Sequence, residues 1–279
     1  MYDICGSIVL YRNEPDIVSK TIESFLNTDL RVFLYLIDNS PEDSLKVLAH
    51  CANIEYIYVN KNIGFGAGHN IAIRKSIDNA KYHLVLNPDI YFEKGVLEGI
   101  FSFMEENKDI GLLMPKILYP DGRIQYLCKM LPTPLDIFLR RFLPFKKVVE
   151  KRNERYELRF TGYDKVMNVP YLSGCFMFLR NSVLKDVGAF DERFFMYFED
   201  TDLTRRIHKK YKTVYFPHVS VFHCYGKESY KKLGILLIHI KNAFIYFNKY
   251  GWFFDRERKD INFKLIHDER FLYPEVKIG

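Results

Sequence analysis

The sequence has few cysteines and no pair of them in a metal-binding spacing. The five cysteines are odd in number and lie far apart, at Cys5, Cys51, Cys128, Cys175 and Cys224. Because no CxxC pair occurs, the pattern argues against both a disulfide framework and a zinc site. Unpaired thiols suit a reducing compartment, and we therefore expect the protein to act in the cytoplasm.

Long apolar runs are also missing. No stretch approaches the ~20 residues that a bilayer-spanning helix requires, and no basic leader with a cleavage signal precedes the first apolar run at Ile4. Low-complexity tracts are absent, while 48% of the residues are hydrophobic, which excludes a disordered or collagen-like chain. We expect a folded protein that is neither exported by the usual route nor integral to a membrane.

The common phosphate-binding signatures of nucleotide enzymes are lacking too. No GxxxxGK[ST] occurs, and the stretch Gly64-Phe65-Gly66-Ala67-Gly68 is neither GxGxxG nor placed after the first strand-like run. Hydride transfer and P-loop hydrolysis are therefore disfavoured. Glycines at a helix start still allow backbone N–H groups near a diphosphate, although close packing of the helix explains them equally well.

Positive charge is concentrated in one part of the chain. The net charge is +6, and residues 140–159 hold eight Lys or Arg against three Glu, a local excess of five. Leu, Phe and Ile are interleaved with the cations in MLPTPLDIFLRRFLPFKK, a composition typical of a segment at a membrane surface. A solvated face explains such a run equally well. We expect peripheral contact with an anionic membrane through 140–159, and no nucleic-acid partner.

Strand-like apolar runs alternate with helical patterns in the first 90 residues. The runs are ICGSIVLY (4–11), VFLYLID (32–38), IEYIYV (54–59) and YHLVLN (82–87), with helices predicted from Pro15 to about Asn27, from about Glu42 and from about Ala67. Apolar runs separated by helices predict a parallel sheet covered on both faces. Ligands bind such sheets beyond the carboxyl ends of the strands, and polar residues follow each run here.

Carboxylates at two places are candidates for chemistry. Asp89 ends the tripeptide Asn87-Pro88-Asp89 after the fourth run, where proline restricts the backbone, although such tripeptides are also common in turns. Glu199 and Asp200 follow the apolar run FFMYF at a predicted helix start. They can serve as helix caps, but carboxylates buried beside aromatic rings cost free energy unless they are partnered or used. His223, after a later strand-like run, matters only together with Asp89.

In this order, these segments resemble the inverting family 2 glycosyltransferases of the GT-A fold, closest to the bacterial rhamnosyltransferase-like members. The resemblance covers about residues 4–226 and rests on SIVLYRNEPD, LIDNSPED, NKNIGFGAGHN, LNPDIYF, PKILYPDGRIQ, YLSGCFMFLRNSVLKDVGAFDERFFMYFEDTDL and VFH. It implies a GT-A-like α/β fold with a mostly parallel central sheet and helices on both faces. Beyond it, apolar residues at helical spacing in 233–247 predict a C-terminal helical extension.

The resemblance also implies roles for individual residues. Asp89 and His223 are expected to hold a metal ion, Asp200 to act as the general base, and Glu199 to be the second choice for that role. The residues expected to bind the donor are Tyr11, Asn13, Asp38, Asn62, Gly64, Phe65, Asn70 and Asn87. Two positions depart from the family pattern. Asn87 replaces the first acid of the DxD motif, and His69 stands where some relatives carry a basic residue, which leaves that phosphate contact open.

The chemistry of sugar transfer requires these residue types. A departing nucleoside diphosphate needs its growing charge neutralised, which a divalent cation held by one carboxylate and by phosphate oxygens supplies. The incoming hydroxyl must lose a proton to a positioned base on the opposite side. Acids at a helix start are favoured by the helix dipole, so Asp200 is expected to be charged at neutral pH.

We therefore predict an inverting glycosyltransferase that uses Mg²⁺ or Mn²⁺. The predicted donor is dTDP-rhamnose, and the acceptor is a hydroxyl of a glycan or lipid-linked glycan in bacterial surface polysaccharide synthesis. UDP-hexose transfer is the alternative within the fold, and a nucleotidyltransferase or a non-enzymatic nucleotide-sugar-binding protein is a more distant one. The predicted domain spans 1–226, with a donor half at about 1–117 and an acceptor half at about 118–226, followed by the helical extension at 227–279.

Overall fold

A nine-stranded sheet forms the centre of the protein within the residues that the computed structural model describes, 1–137, 146–224 and 233–277. The strands are β1 (Tyr2–Leu10), β2 (Val32–Asp38), β3 (Ile54–Tyr58), β4 (Ala80–Leu86), β5 (Ile90–Tyr91), β6 (Ile110–Leu118), β7 (Cys128–Lys129), β8 (Met167–Asn168), β9 (Tyr171–Leu172), β10 (Phe176–Arg180) and β11 (Lys212–His223). Their order in the sheet is β3-β2-β1-β4-β10-β6-β11-β5, and β8 pairs with β11. Strands β7 and β9 form a separate pair.

Helices connect these strands and follow the last of them. They are α1 (Pro15–Leu26), α2 (Phe65–Ser76), α3 (Val96–Glu106), α4 (Lys146–Tyr156), α5 (Asn181–Val187), α6 (Glu199–His208), α7 (Leu233–Tyr250), α8 (Arg256–His267) and α9 (Glu269–Leu272). Pro15 opens α1 at a position where its missing N–H costs nothing. No helix among the described residues is both long and apolar enough to cross a bilayer.

The predicted parallel sheet is confirmed for the first four strands. Strand β1 pairs in parallel with both β2 and β4, and β2 pairs in parallel with β3. Strand β10 then runs antiparallel between β4 and β6, so the complete sheet is mixed. The carboxyl ends of β1, β2, β3 and β4 consequently share one edge, and the amino end of β10 lies beside the end of β4.

Both faces of the sheet are covered, because alternate side chains of β1 enter different apolar clusters. Ile4 and Ile8 belong to the large cluster that includes Phe25 of α1. Cys5 belongs to a smaller cluster with Ala72 of α2. The twofold alternation of a strand therefore places α1 and α2 on different layers.

Two parts of the chain differ from the sequence prediction. The helix expected from about Glu42 is a short 3-10 helix, Ser44–Leu48, since a segment of this length gains little from α-helical hydrogen bonding. The strand-like sequence that ends at His223 forms one continuous strand, β11. Its register against β6 shifts between Phe216 and Ser220. Pro217 lies within that shift, as expected for a residue that cannot donate to the ladder.

The C-terminal helices pack against α6 and the segment before it. Phe194 and Phe198 lie in one buried cluster with Ala243 and Phe247 of α7. The division of the chain at residue 226 stays a prediction.

Arg205 of α6 is buried and donates to both carboxylate oxygens of Asp255, the N-cap of α8, at 2.8 Å each. This bidentate, buried ion pair connects α6 to the start of α8, and Arg205 also pairs with Glu257 at 2.8 Å.

Candidate functional site

The loop after β1 is shaped by its own polar side chains. Asn13 accepts a hydrogen bond from the Tyr11 backbone N–H at 2.8 Å, and the Arg12 N–H donates to the Ser40 hydroxyl at 2.9 Å. Arg12 has a positive φ of 54°, a left-handed turn position. The Tyr11 ring is left exposed at the sheet edge.

Asp38 ends β2 as a fully buried carboxylate. One oxygen accepts the Ser40 N–H at 2.8 Å, and the other accepts the Tyr56 hydroxyl at 2.6 Å. Burial and the neighbouring Asp38 carboxylate raise the pKa of Tyr56, so that hydroxyl stays protonated and continues to donate. The orientation of Asp38 is therefore fixed from two sides.

The glycine-rich loop is pressed against the segment that precedes α6. Gly64 has φ +94°, and a Cβ there would overlap the Phe195 carbonyl oxygen. That oxygen accepts the Phe65 N–H at 2.9 Å, while Asn62 accepts the Gly64 N–H at 3.1 Å. Both backbone conformation and close approach therefore require glycine at this position.

The side chain of Asn70 is used within the protein. It is buried, and its amide nitrogen donates to the Phe190 carbonyl and to Glu192, each at 2.9 Å. Its oxygen accepts the Phe190 N–H at 3.0 Å. Both amide N–H groups are thus engaged, and Asn70 joins α2 to the 190–192 segment. Its role as a donor-binding residue stays a prediction.

His69 does not supply the positive charge that some relatives carry at its position. It is fully buried and within 2.7 Å of the Ser7 hydroxyl, which also lies 2.8 Å from His83. Burial, followed by the nearby His83, lowers the pKa of His69 well below its ordinary value. The ring is therefore neutral, and a charge-based phosphate contact from His69 is excluded.

Asp89 and His223 face each other at the edge formed by β4 and β11. Their Oδ1 and Nε2 atoms are 3.3 Å apart, and the Asn87 amide nitrogen is also 3.3 Å from Nε2. Gln125 donates through its amide nitrogen to the His223 carbonyl at 2.9 Å, so its oxygen is free to accept the Nδ1–H of His223, 3.0 Å away. With Nδ1–H donated to Gln125, Nε2 is the ring atom directed at Asn87 and Asp89.

An imidazole lone pair and a carboxylate at this distance suit a shared cation. Both are ordinary ligands of a divalent metal ion, so these residues fit the group that the sequence analysis expected. Among the described residues, no set of three or more His, Cys, Asp or Glu side chains converges as a metal site. A metal held by Asp89 and His223 would take its remaining ligands from outside these residue types, such as water or the oxygens of a bound molecule.

Glu199 and Asp200 are both buried at the start of α6, but their surroundings differ. Asp200 accepts the Gly174 N–H at 2.9 Å and the Thr201 N–H at 2.7 Å. One oxygen of Glu199 is buried without a hydrogen-bond partner. Burial raises the pKa of both acids, and the charge of Asp200 raises the pKa of Glu199 further. The backbone donors favour a charged Asp200 beside a protonated Glu199.

One backbone segment, Ser173–Cys175, contacts both the Asn87–Asp89 tripeptide and the Glu199–Asp200 pair. The Cys175 carbonyl accepts the Asn87 N–H at 2.9 Å, and the preceding Gly174 N–H donates to Asp200. Burial raises the pKa of the Cys175 thiol to about 12, and the charges of Asp89 and Asp200 both add to that rise. The two carboxylates therefore lie within electrostatic reach of the same thiol.

The sequence analysis assigned no role to several residues that build this site. Gln125 sets the histidine tautomer, and Gly174 leaves room for Asp200, whose Cβ is 3.2 Å from where a Gly174 Cβ would stand. The positive charge of Lys129 lowers the pKa of Asp200 against the larger effect of burial. The motif strings YLSGC and PDGRIQ contain Gly174 and Gln125, but local sequence does not show which atoms they face.

Solved structures show which class this fold represents. The chain matches the structure of GalNAc-T7 with UDP, GalNAc and Mn²⁺ at a TM-score of 0.67 and 15% identity, covering 99% of this chain and 53% of that one. It matches Staphylococcus aureus TarS residues 1-349 in complex with UDP at 0.59 and 14% identity, covering 96% and 72%. This chain spans about half the length of GalNAc-T7. The expected GT-A fold is confirmed.

Family membership follows from the sequence match. The family model described as glycosyl transferase family 2 matches residues 7–188, and the chain belongs to that family. The N-acetylglucosaminyl-diphospho-decaprenol L-rhamnosyltransferase of Mycobacterium tuberculosis is 28% identical over 232 residues, 77% of this chain and 74% of that protein. The rhamnosyltransferase WbbL of Escherichia coli is 27% identical over 211 residues, 72% and 75%. The predicted resemblance to rhamnosyltransferase-like members is confirmed.

Proposed function

We propose that this protein transfers a sugar from a nucleotide diphosphate donor to a glycan hydroxyl, with inversion at the anomeric carbon. The observation that carries the proposal is that one backbone segment, Ser173–Cys175, accepts a hydrogen bond from Asn87, two residues before Asp89, and donates one to Asp200. One acid has a histidine partner suited to a metal, and the other has backbone donors suited to a base. Inversion needs the base and the metal on opposite sides of the anomeric carbon, since the hydroxyl attacks opposite the departing phosphate.

On the donor side, Asp89 and His223 would hold Mg²⁺ or Mn²⁺ with the donor's own phosphate oxygens. When bound, the ion supplies positive charge against the growing charge of the departing diphosphate. The Mn²⁺ in the GalNAc-T7 structure supports a divalent ion in this fold. Asn87 cannot replace a second acid in charge, so dependence on the nucleotide's phosphates follows from the residues present. Asp38, Tyr11 and the Asn62–Phe65 loop are the proposed contacts for the nucleoside.

On the acceptor side, Asp200 would take the proton of the incoming hydroxyl. Its carboxylate is held by the Gly174 and Thr201 N–H groups, which fix its direction and stabilise its charged form. Glu199 beside it stays protonated and neutral. The pair thus provides one base and one uncharged neighbour, because two adjacent buried carboxylates do not both ionise readily.

The proposed donor is dTDP-rhamnose, and the proposed acceptor is a glycan or lipid-linked glycan. Two relatives are named rhamnosyltransferases, and the name of the Mycobacterium tuberculosis protein includes a diphospho-decaprenol carrier. UDP-hexose transfer is the competing proposal. It is supported by the UDP in the TarS structure and by a Haloferax volcanii relative, named a low-salt glycan biosynthesis hexosyltransferase, at 26% identity over 75% of this chain and 62% of that protein.

Donor binding is expected to separate these proposals. Thermal unfolding with dTDP-rhamnose, UDP-galactose and GDP-mannose, each with Mn²⁺, should show the largest stabilisation with the true donor. A ligand at 100 times its dissociation constant adds about 2.7 kcal/mol. Turnover of the nucleotide sugar should release nucleoside diphosphate, whereas a nucleotidyltransferase would release pyrophosphate only from a nucleoside triphosphate and a sugar 1-phosphate. Stabilisation by no nucleotide sugar, together with no transfer, would contradict the proposed function.

Membrane contact is a further proposal, and contact through residues 140–159 stays a prediction. Residues 140–145 of the basic segment lie outside the described residues. Phe253 and Phe254, between α7 and α8, are 78% and 97% exposed, and Arg256 and Lys259 are exposed beside them. An exposed aromatic pair flanked by cations suits an anionic lipid surface. Placement at the cytoplasmic face of a membrane stays a prediction.

We expect replacement of both phenylalanines by serine to abolish sedimentation with phosphatidylglycerol vesicles. Serine removes the apolar area without changing charge. Val47→Ser, at an apolar residue that is 72% exposed in the Ser44–Leu48 helix, is the control and should bind as the unaltered protein does. Equal binding by the double variant would remove this support for membrane contact.

A further inference from the structure

The turn that enters α6 holds two consecutive residues in an unfavourable backbone conformation. Tyr197 and Phe198 have φ of +72° and +69°, a region that side chains with a Cβ rarely adopt. Neither residue is glycine or asparagine, which tolerate it best. Such strained positions persist only where the surroundings fix them, and here they directly precede Glu199 and Asp200.

The surroundings that fix this turn come from α7. The buried side-chain amide of Asn242 donates to the Met196 carbonyl at 2.7 Å and to the Tyr197 carbonyl at 3.4 Å. The Phe198 ring lies against Tyr246, with ring centroids 5.4 Å apart. The Phe198 carbonyl in turn accepts the first hydrogen bond of α6, from Asp202 N–H at 2.8 Å. The start of α6 is therefore tied to α7 through this turn.

The Asn242 amide is not explained by stability alone. Its oxygen is buried without a hydrogen-bond partner, and such an atom costs free energy. The same turn also touches the glycine-rich loop, because the Phe195 carbonyl accepts the Phe65 N–H. The 195–198 segment thus connects three parts of the molecule: the proposed donor loop, the proposed catalytic pair and α7.

We infer that Asn242 is a positioning residue for sugar transfer, which holds the strained Tyr197–Phe198 turn so that Asp200 faces the acceptor. The inference rests on the proposed function of Asp200. It assigns a catalytic purpose to a helix that lies outside residues 7–188, the part that the family model matches. Asn242 itself touches no substrate and acts through the backbone of the turn.

Asn242→Ala is expected to lower kcat about 10- to 100-fold while the donor KM changes less than about twofold. A displacement of about 1 Å at a reacting group is sufficient for a loss of this size. The matched control is Asn248→Ala, on the same helix but at an exposed position, which should keep full turnover. If the alanine variant does not fold, Asn242→Ser takes its place in the comparison. Serine keeps a hydrogen-bond donor, so a smaller loss of kcat is expected.

Two readouts separate positioning from a merely structural role. The acidic limb of the kcat pH profile should move in Asn242→Ala, because Asp200 shifts against the Gly174 and Thr201 N–H groups that stabilise its charge. A structural role would lower the amount of active enzyme without moving the profile. Adding Tyr197→Gly to Asn242→Ala should restore part of kcat, since glycine adopts positive φ without strain.

A third readout does not depend on turnover. Amide hydrogen exchange of Gly174 and Thr201 should be faster in Asn242→Ala than in Asn248→Ala. Unchanged exchange in Asn242→Ala overturns the inference. If the wild-type protein is active, an unchanged kcat and pH profile in that variant also overturns it. If the wild-type protein transfers no sugar from any donor, yet Asn242→Ala shows the faster exchange, the proposed function is contradicted and the structural coupling is supported.

Discussion

Replacing Asp200 with asparagine is expected to lower kcat by about 10²- to 10⁴-fold, the usual contribution of a positioned general base. Asparagine has nearly the same size, but it cannot accept the proton of the acceptor hydroxyl. The donor KM should change little, because Asp200 is proposed to face the acceptor. Steady-state kinetics with the identified donor, together with an unfolding curve for each variant, measures the effect.

Glu199→Gln is the matched control for this prediction. Burial and the charge of Asp200 hold the pKa of Glu199 well above its usual range, so the side chain is already neutral. Glutamine reproduces a neutral side chain of that size, and kcat should stay within a few fold of the unaltered protein. Full activity in Asp200→Asn with a large loss in Glu199→Gln would reverse the assignment of the base.

The pH dependence of transfer should also identify Asp200 as the base. Transfer needs the charged form of Asp200, and burial raises the pKa of that carboxyl above its ordinary value. Activity should therefore begin to fall, as the pH is lowered, at a higher pH than an exposed aspartate would give. The rate is retained above the raised pKa and lost below it. The limb at low pH should be absent in Asp200→Asn.

Asp89→Asn is expected to have the second large effect, a loss of about 10²- to 10³-fold in kcat/KM, comparable with removing one stabilising group from a developing charge. The substitution keeps the size of the side chain and removes its negative charge from the position opposite His223 Nε2. Calorimetric titration of Mn²⁺ into protein with bound nucleoside diphosphate should show weaker binding. Chelation should abolish transfer by the unaltered protein, and added Mn²⁺ should restore it.

The control for Asp89 is Asp78→Asn, which makes the same chemical change at the opposite end of β4. Asp78 is exposed and pairs with Lys185 on the surface, a contact worth little. This variant should keep full activity and unchanged Mn²⁺ binding. Undiminished transfer by Asp89→Asn, or after stringent chelation, would contradict a metal at this position.

Much of the fold could be predicted because its signals are local. The apolar runs in the first 90 residues are strands, and the helices between them begin close to the predicted residues, at Pro15 and Phe65. The helix predicted from 233–247 is α7. Strand β10 was not foreseen as an antiparallel strand between β4 and β6, because pairing direction depends on residues distant in sequence.

The candidate site was predicted in part, and the limits have physical causes. Strand ends and helix starts marked Asp38, Asp89 and Asp200 from sequence. Which partners each side chain contacts was not visible, as Asn70 shows: it bonds residues about 120 positions away. The expectation that the helix dipole keeps Asp200 charged was incomplete, because burial raises the pKa of that carboxyl and the N–H groups of Gly174 and Thr201 offset only part of the rise.

By itself the sequence determined which residues form strands and helices and which acids stand at their ends, since periodicity and capping are properties of neighbouring residues. Only the tertiary structure decided that Ser173–Cys175 contacts both Asn87 and Asp200, that Gln125 sets the tautomer of His223, and that Asn242 holds the strained turn. These contacts link residues far apart in the chain, and close packing, rather than local preference, selects them.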